Sequence, residues 1–365
     1  DILSRDGLFS PRYGAVLAET DAAQAVQWSD DSKAAFLGIL EGKDMVVQGE
    51  RVAVAELLES AEKTLSDIFP IEAPDLSDKS PEIPLFKEVP AVRTSLLAGA
   101  PRVFIPVMPG TNCEIDSAKA FEKAGAVCHV QILRNRDQKE LCQSVEQMAE
   151  EIRKSQIVMF PGGFSAGDEP EGSGKFIAAL FRHPLLQAAL DDLLRQRDGL
   201  VLGICNGFQA LIKLGLVPYG EFKPLSPEAP TLTYNTIGRH VSRYVTTKVI
   251  SVRSPWFAFC SPGELHRIPV SHGEGRFVAS DEQIREWAAR GQIATQYTDD
   301  QGKPSYDGRV NPNQSCWAVE GITSPDGRVL GKMGHSERCG INIAKNIDGE
   351  KYQPLFASGV AYFKG

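Results

Sequence analysis

Three rhythms of apolar and polar positions follow one another along the chain. In residues 1–73 the apolar runs are short, as in Ala15-Val16-Leu17. One helical pattern stands out there, Val52 to Phe69, where Leu57, Ala61 and Leu65 recur at helical spacing between Glu and Lys. Residues 74–100 lose periodicity, and Pro74, Pro81, Pro84 and Pro90 punctuate a polar stretch that reads as a linker. From Arg102 the rhythm alternates between strand and helix. Val103–Val107, Val127–Ile132, Ile157–Phe160 and Leu200–Ile204 are short apolar runs of buried-strand type. Between them Thr111 and Glu114 suggest a capping box, Gly125 a helix stop, and Leu141, Val145, Met148 and Ile152 one apolar helix face. Alternation of this kind predicts an α/β fold, a mostly parallel sheet flanked by helices. Beyond Gly215 the pattern turns β-rich. Thr246–Val252 reads as a strand with one solvated face, and Ser324-Pro325-Asp326-Gly327 as a turn joining Trp317–Thr323 to Arg328–Met333. The last third therefore adds mixed or antiparallel strands to the parallel core, and residues 1–73 form a small α+β remnant.

Composition narrows the function. At 365 residues the chain fits two domains, or one large domain and a remnant, and its 42% hydrophobic and 24% charged residues are those of a globular protein. A net charge of -8 argues against a nucleic-acid partner, because phosphate backbones reward an excess of Lys and Arg. Acidic small molecules remain open to it, since a local site can oppose the global charge. Seven cysteines, none in a Cys-x-x-Cys pair, suit reduced thiols in the cytoplasm. No apolar run approaches the ~20 residues that span a bilayer, so no membrane is expected. Asp1-Ile2-Leu3-Ser4 has no basic leader and no Met, which reads as a fragment or a processed chain.

Candidate chemistry concentrates at Gly203-Ile204-Cys205-Asn206-Gly207-Phe208-Gln209, where an apolar strand gives way to a helical pattern. A nucleophile on a strand-to-helix turn stands exposed above the sheet, and small neighbours permit the sharp bend. The helix N-terminus favours a thiolate and offers N–H groups to an oxyanion. The plainer reading is a structural cysteine between turn glycines. A nucleophile needs a base, and the base an orienting group. His335, with Glu337 two residues on, and His272, with Glu274 two residues on, are rivals that spacing does not separate. Phe160-Pro161-Gly162-Gly163-Phe164-Ser165-Ala166-Gly167-Asp168 ends a strand in a glycine pair, suited to an oxyanion hole or a carboxylate grip. Gly172-Ser173-Gly174-Lys175 fails as a phosphate loop, with Glu169 in place of the first Gly and Phe176 in place of Ser/Thr. No metal site is expected, His335 and Cys339 being the one tempting pair.

In this order, Pro161-Gly162-Gly163-Phe164-Ser165-x-Gly167-Asp168, Gly203-Ile204-Cys205-Asn206-Gly207-Phe208-Gln209 and His335-Ser336-Glu337 resemble the three signatures of the class I (triad) glutamine amidotransferases, a flavodoxin-like family. Ser271-His272-Gly273-Glu274-Gly275-Arg276 and Asn311-Pro312-Asn313 bring the likeness closer to the glutaminase portions of the phosphoribosylformylglycinamidine synthases. It spans about residues 101–363. Residues 1–73 resemble, more weakly, the end of the preceding synthetase domain of the fused form, with 74–100 as linker and 101–365 as the amidotransferase domain. The resemblance implies glutamine hydrolysis through a thioester on Cys205, with His335 moving the proton and Glu337 orienting it. The ammonia would serve ATP-dependent amidation of formylglycinamide ribonucleotide in purine biosynthesis. Gly162, Gly163, Phe164, Asn206 and Gln209 would hold glutamine and the oxyanion, and His272 would position substrate or couple domains, with plain core packing as the equal alternative. No cofactor is implied in this chain: ATP and Mg²⁺ belong to synthetase domains, expected on the same polypeptide. Ser336 departs from the family's His-Pro-Glu: a proline would fix φ and stiffen the turn, so the His–Glu geometry is less fixed here, though both reacting side chains remain. Two other readings stand beside it, a peptidase-like Cys-dependent α/β hydrolase and a catalytically silent docking or regulatory module.

Overall fold

A computed structural model describes residues 7, 9–30, 34–74, 76, 79–88, 99–167 and 174–364. The opening Asp1–Ser4, Pro90, Asp168, Glu169 and the Gly172-Ser173 pair lie outside the described residues. The chain divides after Ile71 into two compact units.

In the first unit a helix, Ala22–Asp30, precedes an antiparallel hairpin of β1 (Asp44–Val47) and β2 (Glu50–Ala53) and a second helix, Val54–Lys63. The helix expected over Val52–Phe69 is shorter at both ends. Val52 pairs with Met45 in the hairpin, and past Lys63 the chain turns. No residue of the Val54–Lys63 helix is buried, so its apolar stripe closes no core.

The second unit is built on nine strands. β3 (Arg102–Val107), β4 (Val127–Ile132), β5 (Ile157–Phe160) and β6 (Leu200–Ile204) run parallel in the order β4-β3-β5-β6. β13 (Val329–Lys332) joins β6 in parallel, and β12 (Val319–Thr323), β11 (Ile293–Thr298), β8 (Val241–Val249) and β9 (Leu265–His272) extend the sheet antiparallel. β7 (Thr231–Thr233) and β10 (Arg276–Val278) form a separate ribbon. β5 and β6 are buried along their whole length because helices cover both faces, whereas the edge strand β4 stays part-exposed. The Gln138–Lys154 helix begins where Asp137 accepts the Glu140 N–H at 2.8 Å, and it buries Val145, Met148, Ala149 and Ile152. Leu141, one turn earlier, is exposed.

Several sequence expectations change in the fold. The Thr111–Glu114 capping box is not formed: Cys113 is the N-cap of the Glu114–Lys123 helix, and Thr111 Oγ1 instead accepts the Met108 N–H at 3.1 Å. Strand β8 is shifted towards the N-terminus from the expected Thr246–Val252. Its last five residues have no solvated face, since β9 and β11 flank it and both sheet faces are covered. The proline-punctuated segment is not free chain over 79–88. Ile83 is 1% exposed within the core, Phe86 bridges Ser251, and Gln296 Nε2 donates to Pro81 O at 2.9 Å.

Candidate active site

The parallel strands place the site. β3 is followed by β4 on one side, while β5 and β6 lie on the other, so the strand order reverses between β3 and β5. In open α/β sheets ligands bind beyond the carboxyl ends at such a reversal. The loops leaving β3 and β5 meet there: Thr111 bridges Gly163, with Asn112 N–H donating to Gly162 O at 3.3 Å and Phe164 N–H to Gly110 O at 2.8 Å. That pairing leaves the N–H of Gly163 out of the bridge, but it occupies the N–H of Phe164.

Cys205 links β6 to the Asn206–Leu214 helix with φ 52° and ψ -106°, a strained conformation for a residue with a side chain. The bend is possible because Gly207 lies against the Phe160 carbonyl, where any Cβ would collide with the oxygen. The thiol is buried and donates to Ser271 O at 3.6 Å. Burial pushes it up to about 12, assisted by Cys113 and Glu337 and opposed by Arg338 and the Asn206 N–H. At neutral pH it rests as a thiol and needs a base.

His335 follows β13 and is the candidate base. Its Nδ1 donates to Glu337 Oε1 at 2.6 Å, which leaves Nε2 as an acceptor, buried and without a partner. Burial raises the Glu337 carboxyl, yet the His335 charge and hydrogen bond, a backbone N–H and Arg338 together hold it below the usual carboxylate range. Gly162 stands between His335 and Cys205. A Cβ there would lie 2.7 Å from His335 Cε1 and 3.5 Å from Cys205 Cβ, so only hydrogen leaves the space open.

The turn that carries His335 and Glu337 is clamped from beneath. Buried Lys332, 3.3 Å from Glu320, donates to Gly334 O at 3.0 Å and to Ser336 Oγ at 2.8 Å. Glu320 Oε1 accepts the Gly334 N–H at 2.6 Å, and Ser336 Oγ donates to Gln353 Oε1 at 2.7 Å. The stiffness that a proline would give this turn therefore comes from a buried ion pair grasping its backbone and the Ser336 hydroxyl.

His272 has different partners. Its Nδ1 meets Asn235 Oδ1 at 3.1 Å rather than Glu274, and Asn235 also donates to His272 O at 2.8 Å. Burial first, then the charges of His335 and His240, push this imidazole down to about 3, so it is neutral. Gln209 Nε2 donates to Glu274 O and its Oε1 accepts from Asn206 Nδ2 at 3.0 Å. Asn206 Oδ1 in turn accepts the Ser165 N–H at 3.3 Å. Asn313 donates to Gly275 O at 2.6 Å. Gln209 and Asn206 thus tie the elbow to the 161–167 and 271–275 loops, and in this arrangement both ends of the Gln209 amide are taken. The sequence reading missed Cys113, whose buried Sγ lies 3.9 Å from His335 Nδ1 and accepts from Arg338 at 3.0 Å. Burial, with Glu337 next, pushes this thiol up to about 11. The available signal was Pro109-Gly110 ending the first parallel strand, beside the order reversal.

Comparison with known proteins gives the family. Residues 100–363 match the CobB/CobQ-like glutamine amidotransferase domain. The chain is 33% identical over 243 residues to the phosphoribosylformylglycinamidine synthase subunit PurQ of Aquifex aeolicus, covering 67% of this chain and 93% of that one. It is also 33% identical over 264 residues to the PurQ of Symbiobacterium thermophilum, covering 72% and 97%. The structure of PurLQS from Thermotoga maritima superposes with a TM-score of 0.51 at 26% identity, over 72% of this chain and 99% of the other. The chain belongs to the CobB/CobQ-like glutamine amidotransferase family and, within it, stands with the phosphoribosylformylglycinamidine synthase subunits.

Proposed function

We infer that this chain is the glutaminase component of a phosphoribosylformylglycinamidine synthase of purine biosynthesis, releasing ammonia from glutamine. The observation that carries the reading is the strained, positive-φ Cys205 at the β6–helix junction, facing His335 across Gly162 while Glu337 holds the other ring nitrogen. Cys205 Sγ attacks the side-chain amide carbon as its proton passes to His335 Nε2. The resulting oxyanion is met by the N–H groups of Gly163 and Asn206. His335 returns the proton to the departing ammonia, leaving a glutamyl thioester. Water, deprotonated by the same nitrogen, then attacks the thioester carbon; the C–S bond breaks, glutamate leaves, and His335 returns the proton to the Cys205 sulfur. A silent docking module would have no use for the strain stored at Cys205 or for a base with a free acceptor nitrogen.

The ammonia acceptor, and the ATP and Mg²⁺ that activate it, belong in this reading to synthetase domains, proposed to lie on the same polypeptide. All seven cysteines are free, in keeping with a cytoplasmic enzyme, and no helix among the described residues is long and apolar enough to cross a membrane. The test is labelling by diazo-oxo-norleucine, which alkylates the nucleophile of a glutaminase. Mass should be added at Cys205, and Cys205→Ala should abolish both labelling and ammonia release. Adduct on Cys113 instead would overturn the assignment of the nucleophile.

A further inference from the structure

His266 poses a problem that the glutaminase chemistry does not solve. It is the first buried residue of β9, whose inward face carries His266, Ile268, Val270 and His272 in alternation. Its side chain is fully buried, yet neither ring nitrogen makes a hydrogen bond. Glu264 Oε1 lies 3.2 Å from Nε2 but off the line a hydrogen bond requires. A buried polar group without a partner calls for a ligand, commonly a water or an ion.

The surroundings favour an ion. Cys260 Sγ, a carboxylate oxygen of Glu264 and a nitrogen of His266 lie within 4.8 Å of one another. Metal–donor bonds of about 2.0–2.3 Å place donor atoms roughly 3–4 Å apart, so a small contraction suffices. The backbone that presents them is already fixed. Cys260 N–H donates to Phe257 O at 3.0 Å, Gly263 N–H to Val249 O at 2.8 Å, and Val249 N–H to Glu264 O at 2.9 Å. The second Glu264 oxygen accepts the Ser261 N–H at 2.7 Å, which aims the first one inward. Burial holds the imidazole down, so it is neutral and able to ligate. Lys332 is the cation that both Cys260 and His266 feel, and Glu320 neutralises it at 3.3 Å.

We propose that Cys260, Glu264 and His266 form a binding site for a borderline divalent transition metal, of which Zn²⁺ is the best fit. One thiolate, one imidazole and one carboxylate are a mixed S/N/O donor set of the kind zinc accepts, and the thiol is deprotonated on binding. Cys260 and Glu264 are half-exposed, so a water completes the tetrahedron from the solvent side. The ion pins the 258–264 loop to the start of β9. The other end of that strand supplies Ser271 O to Cys205. The site is separate from the glutaminase triad and does not rest on that reading.

Co²⁺ is the probe, added to the reduced, metal-stripped full chain. One equivalent should produce tetrahedral ligand-field absorption with a thiolate charge-transfer band, and Zn²⁺ should displace it. Cys260→Ala should lose the charge-transfer band. Glu264→Gln, which keeps the Ser261 hydrogen bond and lies near the surface, should weaken binding about 10-fold or more. Cys205→Ala and Cys113→Ala should leave the spectrum unchanged. The proposal is overturned if the reduced chain gives no tetrahedral spectrum, if the thiolate band survives Cys260→Ala, or if it disappears in Cys113→Ala. The last outcome would move the metal to the cluster of Cys113, His335 and Glu337.

Discussion

At the scale of single residues, His266 and His272 on the inward face of β9 share a fate that His335 escapes. His335, outside that strand, keeps a hydrogen bond to a carboxylate, while His266 and His272 are buried without one. Burial pushes His272 down to about 3 from an ordinary 6.5. Between those values the unfolded chain holds a proton that the folded chain refuses, so stability rises with pH through the window and falls as acid is added. By pH 5 this one imidazole should withdraw on the order of 2 kcal/mol relative to neutral pH. His266, also shifted down, acts in the same direction. Urea unfolding at pH 7 and pH 5 checks this. The pH-dependent loss should shrink in His272→Phe, whatever that variant does to stability at pH 7. An identical loss in both proteins would mean that His272 is protonated in the fold.

Among the elements, the turn after β13 matters most, since it carries both His335 and Glu337. Its hold is the Lys332–Glu320 pair, both side chains 0% exposed, joined to Ser336 and to the Gly334 backbone. A buried ion pair contributes little net stability, but removing one partner strands a charge. Restoring the family's proline at this position should therefore harm rather than help. Ser336→Pro removes an N–H that donates to Gly334 O at 3.2 Å and takes the hydroxyl from both the ammonium and Gln353. We expect a cost of about 3 kcal/mol in urea unfolding, with a matching fall in glutaminase activity. A variant as stable and active as the parent would show that the clamp does not hold the turn.

For the molecule as a whole, the segment between the first unit and the sheet decides how the second unit is closed. Ile83 enters the main core, and Pro81 O, Glu82 and Phe86 contact Gln296, Lys248 and Ser251. Ile83→Ala should cost on the order of 3 kcal/mol, because it deletes buried methylenes and leaves a cavity. A linker residue would lose less than about 0.5 kcal/mol. Chemical denaturation followed by tryptophan fluorescence separates the two outcomes.

The parallel strands were legible in the chain because a strand buried on both faces must be apolar throughout, as Val103–Val107 and Leu200–Ile204 are. The Cys205 elbow was legible because its steric demand falls on immediate neighbours, Gly203 and Gly207. What could not be read locally was whatever depends on partners distant in sequence. The segment punctuated by prolines looks like a linker until Ile83 finds the core. Val52 fits the helical spacing until Met45 pairs with it, and Cys113 looks like packing until His335, 222 residues away, arrives beside it. The spacing of His335 to Glu337 equals that of His272 to Glu274, so sequence spacing left the two histidines level. Tertiary structure separated them, by giving one a carboxylate and the other an amide.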